Sequence, residues 1–320
     1  MVPSPAGPDE LDAGTGSQVV HARTWATMQA PLSLETPMSC RPLLLLLACL
    51  LSPLLPTSAF AEEAESVLRV MSFNIRLPAE SDGVDYWETR KPLAVRMLRE
   101  QAPDVVGVQE LVKAQADYLA RELPDYAWFG RGRDADGGGE RMGVFYRKDR
   151  LQVVESGDFW LSDTPDAPGS ITWNHLFPRM VTWALFERRG DGRRFYLFNT
   201  HLPYRDQDEA ARVKGARAIA QRLAALPAGV PVVLTGDFNT TPDSQVHAVL
   251  AATLQDAWTA APRVEGVDAT FHGFTGTADR RIDWIFAKGA AVESATSVTT
   301  RWNGRYPSDH FPVVATLRLP

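Results

Sequence analysis

Val67-Leu-Arg-Val-Met-Ser-Phe-Asn74 and Asp104-Val-Val-Gly-Val-Gln-Glu110 are two largely apolar runs, each ending on a polar side chain, with Glu88 to Gln101 between them. In the intervening segment Leu93, Met97 and Leu98 recur at helical spacing. Pro103 stops the helix, because proline disfavours helical backbone at the residue before it. The pattern predicts strand, helix (88–101), strand.

The rest of the chain reads outward from that opening. Leu111 to Leu123 continues as a helical segment. Gly143 to Arg147 and Leu151 to Glu155 look like strands paired around a Lys148-Asp149 turn, and Met180 to Glu187 with Arg194 to Asn199 like a hairpin around Gly190-Asp-Gly192. Asp206 to Leu226 is the clearest helix, with Val213, Ile219 and Leu223 on one face and Asp206 with Glu209 as a capping-box-like start. Pro231 to Thr235 is a short strand, a helix is expected from a cap at Asp243 to Ala252, and strands at Arg281 to Ala287, Ser294 to Thr300 and Phe311 to Leu317. Strands joined by both hairpins and helices predict a mixed α/β domain, two packed sheets with helices outside.

The 320 residues are 45% hydrophobic and 22% charged, enough apolar surface for a large core and no signature of disorder, collagen or coiled coil. Lys plus Arg number 33 against 39 for Asp plus Glu, so attraction to polyanions is not a property of the whole molecule and any such site is local. The apolar run Leu43 to Leu55 is too short, and too broken by Pro53, for the ~20 residues of a membrane span. Arg41 before it and Ala59-Phe60-Ala61 after it make it a signal-peptide core with a cleavage site. The expected organisation is a leader over 1–61 with Met38 as the true start, then one domain over 62–320, exported to the periplasm or secreted. Cys40 and Cys49 both fall in that leader, so the mature chain has no disulfide, thiolate nucleophile or Cys-ligated zinc.

Polar residues cluster where strands end: Asn74, Glu110, Asn199 with His201, and Asp237 with Asn239, joined by Asp283 within a strand and Asp309 with His310 just before one. Each alone is an ordinary turn former, but their recurrence beside six strands marks the place where an α/β scaffold presents a site. Glu110 and Asn74 supply the oxygen ligands that Mg²⁺ or Mn²⁺ prefers, and no HExxH or Cys cluster offers a zinc alternative. In Gly236-Asp-Phe-Asn239 a carboxylate and an amide lie on one side, Asp237 to align or deprotonate water and Asn239 to hold a phosphate oxygen. Ser308-Asp309-His310 sets an imidazole beside a carboxylate, with Asp283 as a second acid to orient it for proton transfer or phosphate contact. A Ser/His/Asp hydrolase is the rival reading, but there is no G-x-S-x-G elbow and Ser308 is too close in sequence to His310.

The motifs Ser72-Phe-Asn-Ile-Arg76, Val106-Gly-Val-Gln-Glu110, Asn199-Thr-His-Leu202, Gly236-Asp-Phe-Asn239, Arg281-Ile-Asp-Trp-Ile285 and Ser308-Asp-His310 occur in this order. Together they resemble the endonuclease/exonuclease/phosphatase superfamily, which includes deoxyribonuclease I, abasic-site endonucleases, inositol-polyphosphate 5-phosphatases, neutral sphingomyelinases and carbon-catabolite-repressor-type deadenylases. The resemblance runs from about Val67 to Leu317 and implies a four-layer α/β sandwich. It implies that Glu110 and Asn74 bind Mg²⁺ with Asp309 near the metal, and that Asp237 and Asn239 position water and the scissile phosphate. His310 with Asp283 then serves phosphate contact or acid-base work, and His201 stabilises the phosphate in the transition state. Arg76 departs from the abasic-site endonucleases, which carry an acidic residue there, and so argues against that branch.

Asn199, Arg141 and Arg179 are candidate substrate contacts, and Arg90 is a further guanidinium able to reach a phosphate. The bland readings put Trp183 and Trp284 in the core, Arg131, Arg133 and Asp134 to Gly139 in a solvated loop, and His175, His247 and His272 in no site. The first expectation is an exported, monomeric, metal-dependent nuclease or phosphodiesterase acting on RNA or DNA, with the Asn199-Thr-His-Leu202 spelling leaning toward RNA. The alternative is a phosphatase or sphingomyelinase-like enzyme acting on small phosphate esters or lipid headgroups. A noncatalytic binding module predicts the loss of site residues, whereas Glu110, Asp237, Asn239, Asp283 and His310 are all present.

Overall fold

Two parallel strand pairs, each bridged by a helix, sit at the centres of two sheets in the computed structural model, which describes residues 67–320. The signal-peptide reading, its cleavage site and the start near Glu62 lie outside the described residues. In the first unit β1 (Val67–Asn74) leads through α1 (Trp87–Gln101) to β2 (Val105–Leu111), parallel to β1. Helix α2 (Lys113–Glu122) and strands β3 (Tyr126–Phe129), β4 (Arg141–Arg147), β5 (Leu151–Trp160), β6 (Met180–Arg188) and β7 (Arg194–His201) follow. Helix α3 (Glu209–Ala224) then carries the chain from β7 to the parallel β8 (Val232–Asp237). Helix α4 (Gln245–Ala251) and strands β9 (Gln255–Asp256), β10 (Val264–Glu265), β11 (Asp283–Lys288), β12 (Ala291–Ser297) and β13 (Val313–Arg318) complete the fold.

The strand orders are β10-β12-β13-β1-β2-β4-β3 in a seven-stranded sheet and β5-β6-β7-β8-β11-β9 in a six-stranded one. Alternation along the strands gives each sheet two apolar faces. Leu68 and Val70 of β1 pack with Val105, Leu197, Val233 and Ile285 between the sheets. Met71 and Phe73, one residue out of phase, pack against Val95 and Leu98 of α1 and Leu119 of α2. Val213, Ile219 and Leu223 of α3, with Val246 and Leu250 of α4, cover Phe198, Leu234 and Trp284 on the other sheet. The result is the expected four layers, helix, sheet, sheet, helix, held by three apolar seams. Among the described residues no helix is long and apolar enough to cross a membrane.

Three local expectations are corrected. The Lys148-Asp149 turn does not close a hairpin: β4 pairs with β2 and β3, whereas β5 pairs with β6 in the other sheet. Lys-Asp lacks the Asn or Gly that a tight primed turn favours, and Leu151 instead enters the seam between the sheets beside Phe186. Helix α3 is preceded by a 3₁₀ turn at Asp206–Asp208 and has no side-chain cap, because the Asp208 carboxylate is engaged by Arg205. Helix α4 is capped by Ser244, whose Oγ accepts from the His247 amide at 3.3 Å, while Asp243 accepts from the Thr241 hydroxyl. Ser244→Ala should therefore lower stability by about 1 kcal/mol and Asp243→Ala by a few tenths, read by urea denaturation; equal losses would restore Asp243 as the cap.

Candidate active site

The C-terminal ends of β1, β2, β7 and β8 converge at one edge of the sandwich, and there the seam between the sheets turns from apolar to polar. Deepest are Gln109 and Asn199: Gln109 Nε2 donates to Asn199 Oδ1 at 2.7 Å, and Asn199 Nδ2 donates to the carbonyls of Val108 and Gly143. Thr235 Oγ1 also donates to Asn199 Oδ1. With its amide committed to both sheets, Asn199 does not line the pocket and ties the sheets beneath it, a correction to its reading as a substrate contact.

Above that seam stand the other motif residues. Asp237 faces His201 and Asp283 across the neighbouring strands in register. Its Oδ1 accepts from the Asn239 amide and its Oδ2 from Asn74 Nδ2, both at 2.9 Å, which joins one sheet to the other. His310 Nδ1 bonds Asp283 Oδ2 at 2.8 Å, leaving Nε2 3.9 Å from Asp237 Oδ2 and 4.0 Å from Asp309 Oδ1. Asn239 Nδ2 donates to His201 Nε2 at 2.8 Å and to the Leu202 carbonyl at 3.0 Å, so its carbonyl oxygen is the free end. Glu110 and Asn239 hold left-handed backbone, φ 57° and 51°, and a bulge in β2 accompanies Glu110. Such strain is retained where neighbouring structure over-determines it, often at working sites.

The electrostatics separate the groups. Burial, then the charge of Asp283, pushes the Asp237 carboxyl well above the usual carboxylate range. Burial opposes a charged His310, but the charge and hydrogen bond of Asp283, with Asp309 and Asp237, outweigh it and raise the imidazole. Burial, then the charges of Arg179, Arg133 and His310, holds His201 well below its ordinary value and therefore neutral.

Two groups of side chains could receive a cation. Asp237, Asp283 and His310 lie close enough to share one, but His310 Nδ1 is engaged by Asp283, and Asp283 does not line the cavity. Glu110 and Asp309 fit better, since both line the pocket, and Asp309 is raised first by burial and then by the Glu110 charge, against the pull of His310. Two crowded carboxylates open to a cavity suit a hard oxygen-seeking ion. Asn74 plays another part than the expected one, because its Nδ2 faces Glu110 and Asp237 while its Oδ1 accepts from the Arg76 amide. In that orientation its NH₂ bridges the two carboxylates, and its oxygen holds the Arg76 amide.

These groups line a cavity of about 460 Å³, with Arg76, Glu140, Arg179, Ile282 and Phe271 in its walls and the exposed Phe177, Tyr204 and Arg280 at its mouth. Arg179 is only 4% exposed, yet it lines the cavity and forms no ion pair or side-chain hydrogen bond with any described residue; its Nη1 is buried without a partner. Burial pushes its pKa down to about 10, so it stays charged near neutrality. Arg141 points elsewhere, donating to the carbonyls of Gly139 and Gly137 beside an adjoining hollow. Arg90 serves structure, donating to the carbonyls of Ile75, Arg76, Asp85 and Pro307 and fastening the loop after β1 to the loop before His310.

Sequence reasoning did not single out Glu140, Phe177, Tyr204, Phe271 or Arg280. Glu140 follows the glycine-rich segment, which packs against β4 through Arg133: its amide donates to the Glu140 carbonyl and its guanidinium to the Glu140 carboxylate. Tyr204 lies two residues beyond the Asn199 to Leu202 motif, a proximity that was the available signal.

Comparison with known proteins agrees with this arrangement. The sequence profile described as Endonuclease/Exonuclease/phosphatase family matches residues 71–310. A crystal structure of an endonuclease/exonuclease/phosphatase family protein from Bacteroides thetaiotaomicron is 32% identical with a TM-score of 0.75, covering 79% of this chain and 98% of that one. A mannosyl-6-phosphatase from the same organism is also 32% identical, with a TM-score of 0.74, covering 78% of this chain and 99% of that one. Tyrosyl-DNA phosphodiesterase 2 of Danio rerio is 26% identical over 280 residues, 81% of this chain and 69% of that protein.

Proposed function

The chain belongs to the endonuclease/exonuclease/phosphatase family and is a metal-dependent phosphoester hydrolase, and from that premise we propose that it removes a terminal phosphate from a small molecule of sugar size. The observation that carries this reading is Arg179. A buried cation without a carboxylate partner is costly, and its position in the cavity wall suits it to the phosphate of an incoming substrate. A cavity of about 460 Å³ matches a small phosphate ester rather than a long groove for a polymer, and the 32% likeness to a mannosyl-6-phosphatase supports a phosphorylated sugar.

The roles follow from geometry. Water attacks phosphorus as the ester bond breaks, its proton passing to Asp237, which the Asn239 amide and Asn74 hold in place. The Asn239 carbonyl, left free because its NH₂ is bound to His201 and Leu202, orients that water. His310, anchored through Nδ1 to Asp283, turns Nε2 toward the cavity to neutralise phosphoryl or leaving oxygen. Neutral His201 fixes Asn239 and does not itself carry charge to the phosphate. Held by Glu110 and Asp309, a divalent cation, Mg²⁺ by preference with Mn²⁺ as a substitute, would supply charge neutralisation to the phosphate oxygens.

The protein should hydrolyse hexose 6-phosphates with Mg²⁺ or Mn²⁺, lose activity in EDTA and regain it on addition of metal. Arg179→Ala should raise KM for the monoester about 10–100-fold. The signal-peptide-like segment before residue 62 supports a reaction outside the cytoplasm. A second reading, a nuclease or phosphodiesterase on RNA or DNA, draws on Phe177 and Tyr204, exposed aromatics at the mouth able to stack on bases, and on the likeness to tyrosyl-DNA phosphodiesterase 2. Cleavage of RNA or DNA with no release of phosphate from any hexose monoester would make that reading the function.

A further inference from the structure

The loop after β1 places a cation among carboxylates. Arg76 sits in left-handed backbone, φ 59°, and forks onto Asp82, with Nη2 to Oδ1 at 2.8 Å and Nε to Oδ2 at 3.1 Å. Its Nη1 lies 3.8 Å from Glu110 Oε2 and its Nε 3.7 Å from Asp309 Oδ2, ion-pair distances without hydrogen bonds. The guanidinium lines the cavity. Its backbone is pinned from three sides: the amide donates to Asn74 Oδ1, and the carbonyl accepts from Arg90 and from Gln115 Nε2. The conformation is thus imposed on Arg76 by its surroundings and keeps the charge in place.

Glu110, Asp309 and Asp82 bring three negative charges to this corner, and Arg76 returns one. A guanidinium already within 4 Å of both cavity carboxylates repels a second ion and competes with the first.

We propose that Arg76 is the resident second cation of this site, limiting the Glu110–Asp309 cleft to one divalent ion and setting its affinity. The inference rests on the assignment of Glu110 and Asp309 as the metal carboxylates. Its chemistry is that of a fixed positive charge doing, next to a phosphate, what a second metal ion does in two-metal sites.

Mn²⁺ titration of the chelator-treated protein, followed by the electron paramagnetic resonance of free Mn²⁺, gives stoichiometry and Kd without turnover. Wild type should bind one ion. Arg76→Gln should bind it about tenfold more tightly or accept a second ion, whereas Arg76→Lys, which keeps the charge and loses the fork to Asp82, should stay close to wild type. A purely structural role through Asp82 would lower Tm in both variants and leave stoichiometry and Kd unchanged, which overturns the inference while the phosphoesterase reading stands. Two ions in wild type would also overturn it. Binding unaffected by Glu110→Gln would remove the metal assignment, and the inference with it.

Discussion

Asp237→Asn should lower kcat by about 10³-fold or more, some 4 kcal/mol of transition-state stabilisation, while leaving the metal-free protein as stable as wild type or more so. Asn keeps the shape and one acceptor for the Asn239 amide but cannot take a proton from water, and its NH₂ meets the NH₂ of Asn74 where a carboxylate oxygen accepted it. The stability sign follows from linkage. Asp237 holds its proton more tightly in the folded chain than in the unfolded one, through burial and the Asp283 charge, so its ionised form opposes folding at any pH above the ordinary carboxylate value of about 4. A neutral isostere removes that opposition, and this gain offsets the donor–donor contact with Asn74. His310→Ala should match the kinetic loss but also destabilise, because it strips Asp283 of its only side-chain partner among the described residues, in a buried site. The two losses should not add, since both residues act on one proton inventory. Kinetics at saturating metal with Tm measured in EDTA separates the cases; a kcat within tenfold of wild type for Asp237→Asn would remove Asp237 from the proton-accepting role.

Most of this site was legible because parallel strands present their C-terminal ends together, so the polar residues closing β1, β2, β7 and β8 had to meet once the sheets stacked. Depth was not legible. Asn199 and His201 lie on the same face of β7 two residues apart, yet the first is locked between the sheets and the second reaches the cavity. Sheet membership was hidden for the same reason, since the runs of β4 and β5 have strand periodicity whichever sheet they join. Arg90, Arg141 and Arg179 are equivalent on paper. Only tertiary packing shows that Arg90 is consumed by carbonyls and Arg141 by a glycine loop, leaving Arg179 uncommitted. The aromatics at the mouth come from segments distant in sequence, and no local period announces them.

Gly107→Ala should cost about 3 kcal/mol of stability and lower kcat beyond what the folded fraction explains. Gly107 lies in β2 facing the other sheet, and an added Cβ would stand 2.0 Å from Thr235 Oγ1 and 2.7 Å from Asn199 Oδ1. Neither neighbour can swing away cheaply, because Thr235 Oγ1 is bonded to the Phe198 carbonyl and to Asn199, and Asn199 spans both sheets. The sheets must therefore part. Three residues beyond Gly107 is Glu110, and two beyond Thr235 is Asp237, so parting stretches the line from Glu110 through Asn74 to Asp237 on which the proposed chemistry depends. Thr235→Ala alone loses one buried hydrogen bond, shared between the Phe198 carbonyl and Asn199 Oδ1, about 1 kcal/mol, but it removes the nearest atom of the clash. Combined, the two substitutions should cost at least about 1 kcal/mol less than their sum and recover part of the lost kcat. Strict additivity in stability together with unrecovered kcat would mean that the spacing of the sheets at Gly107 does not set the geometry of the site.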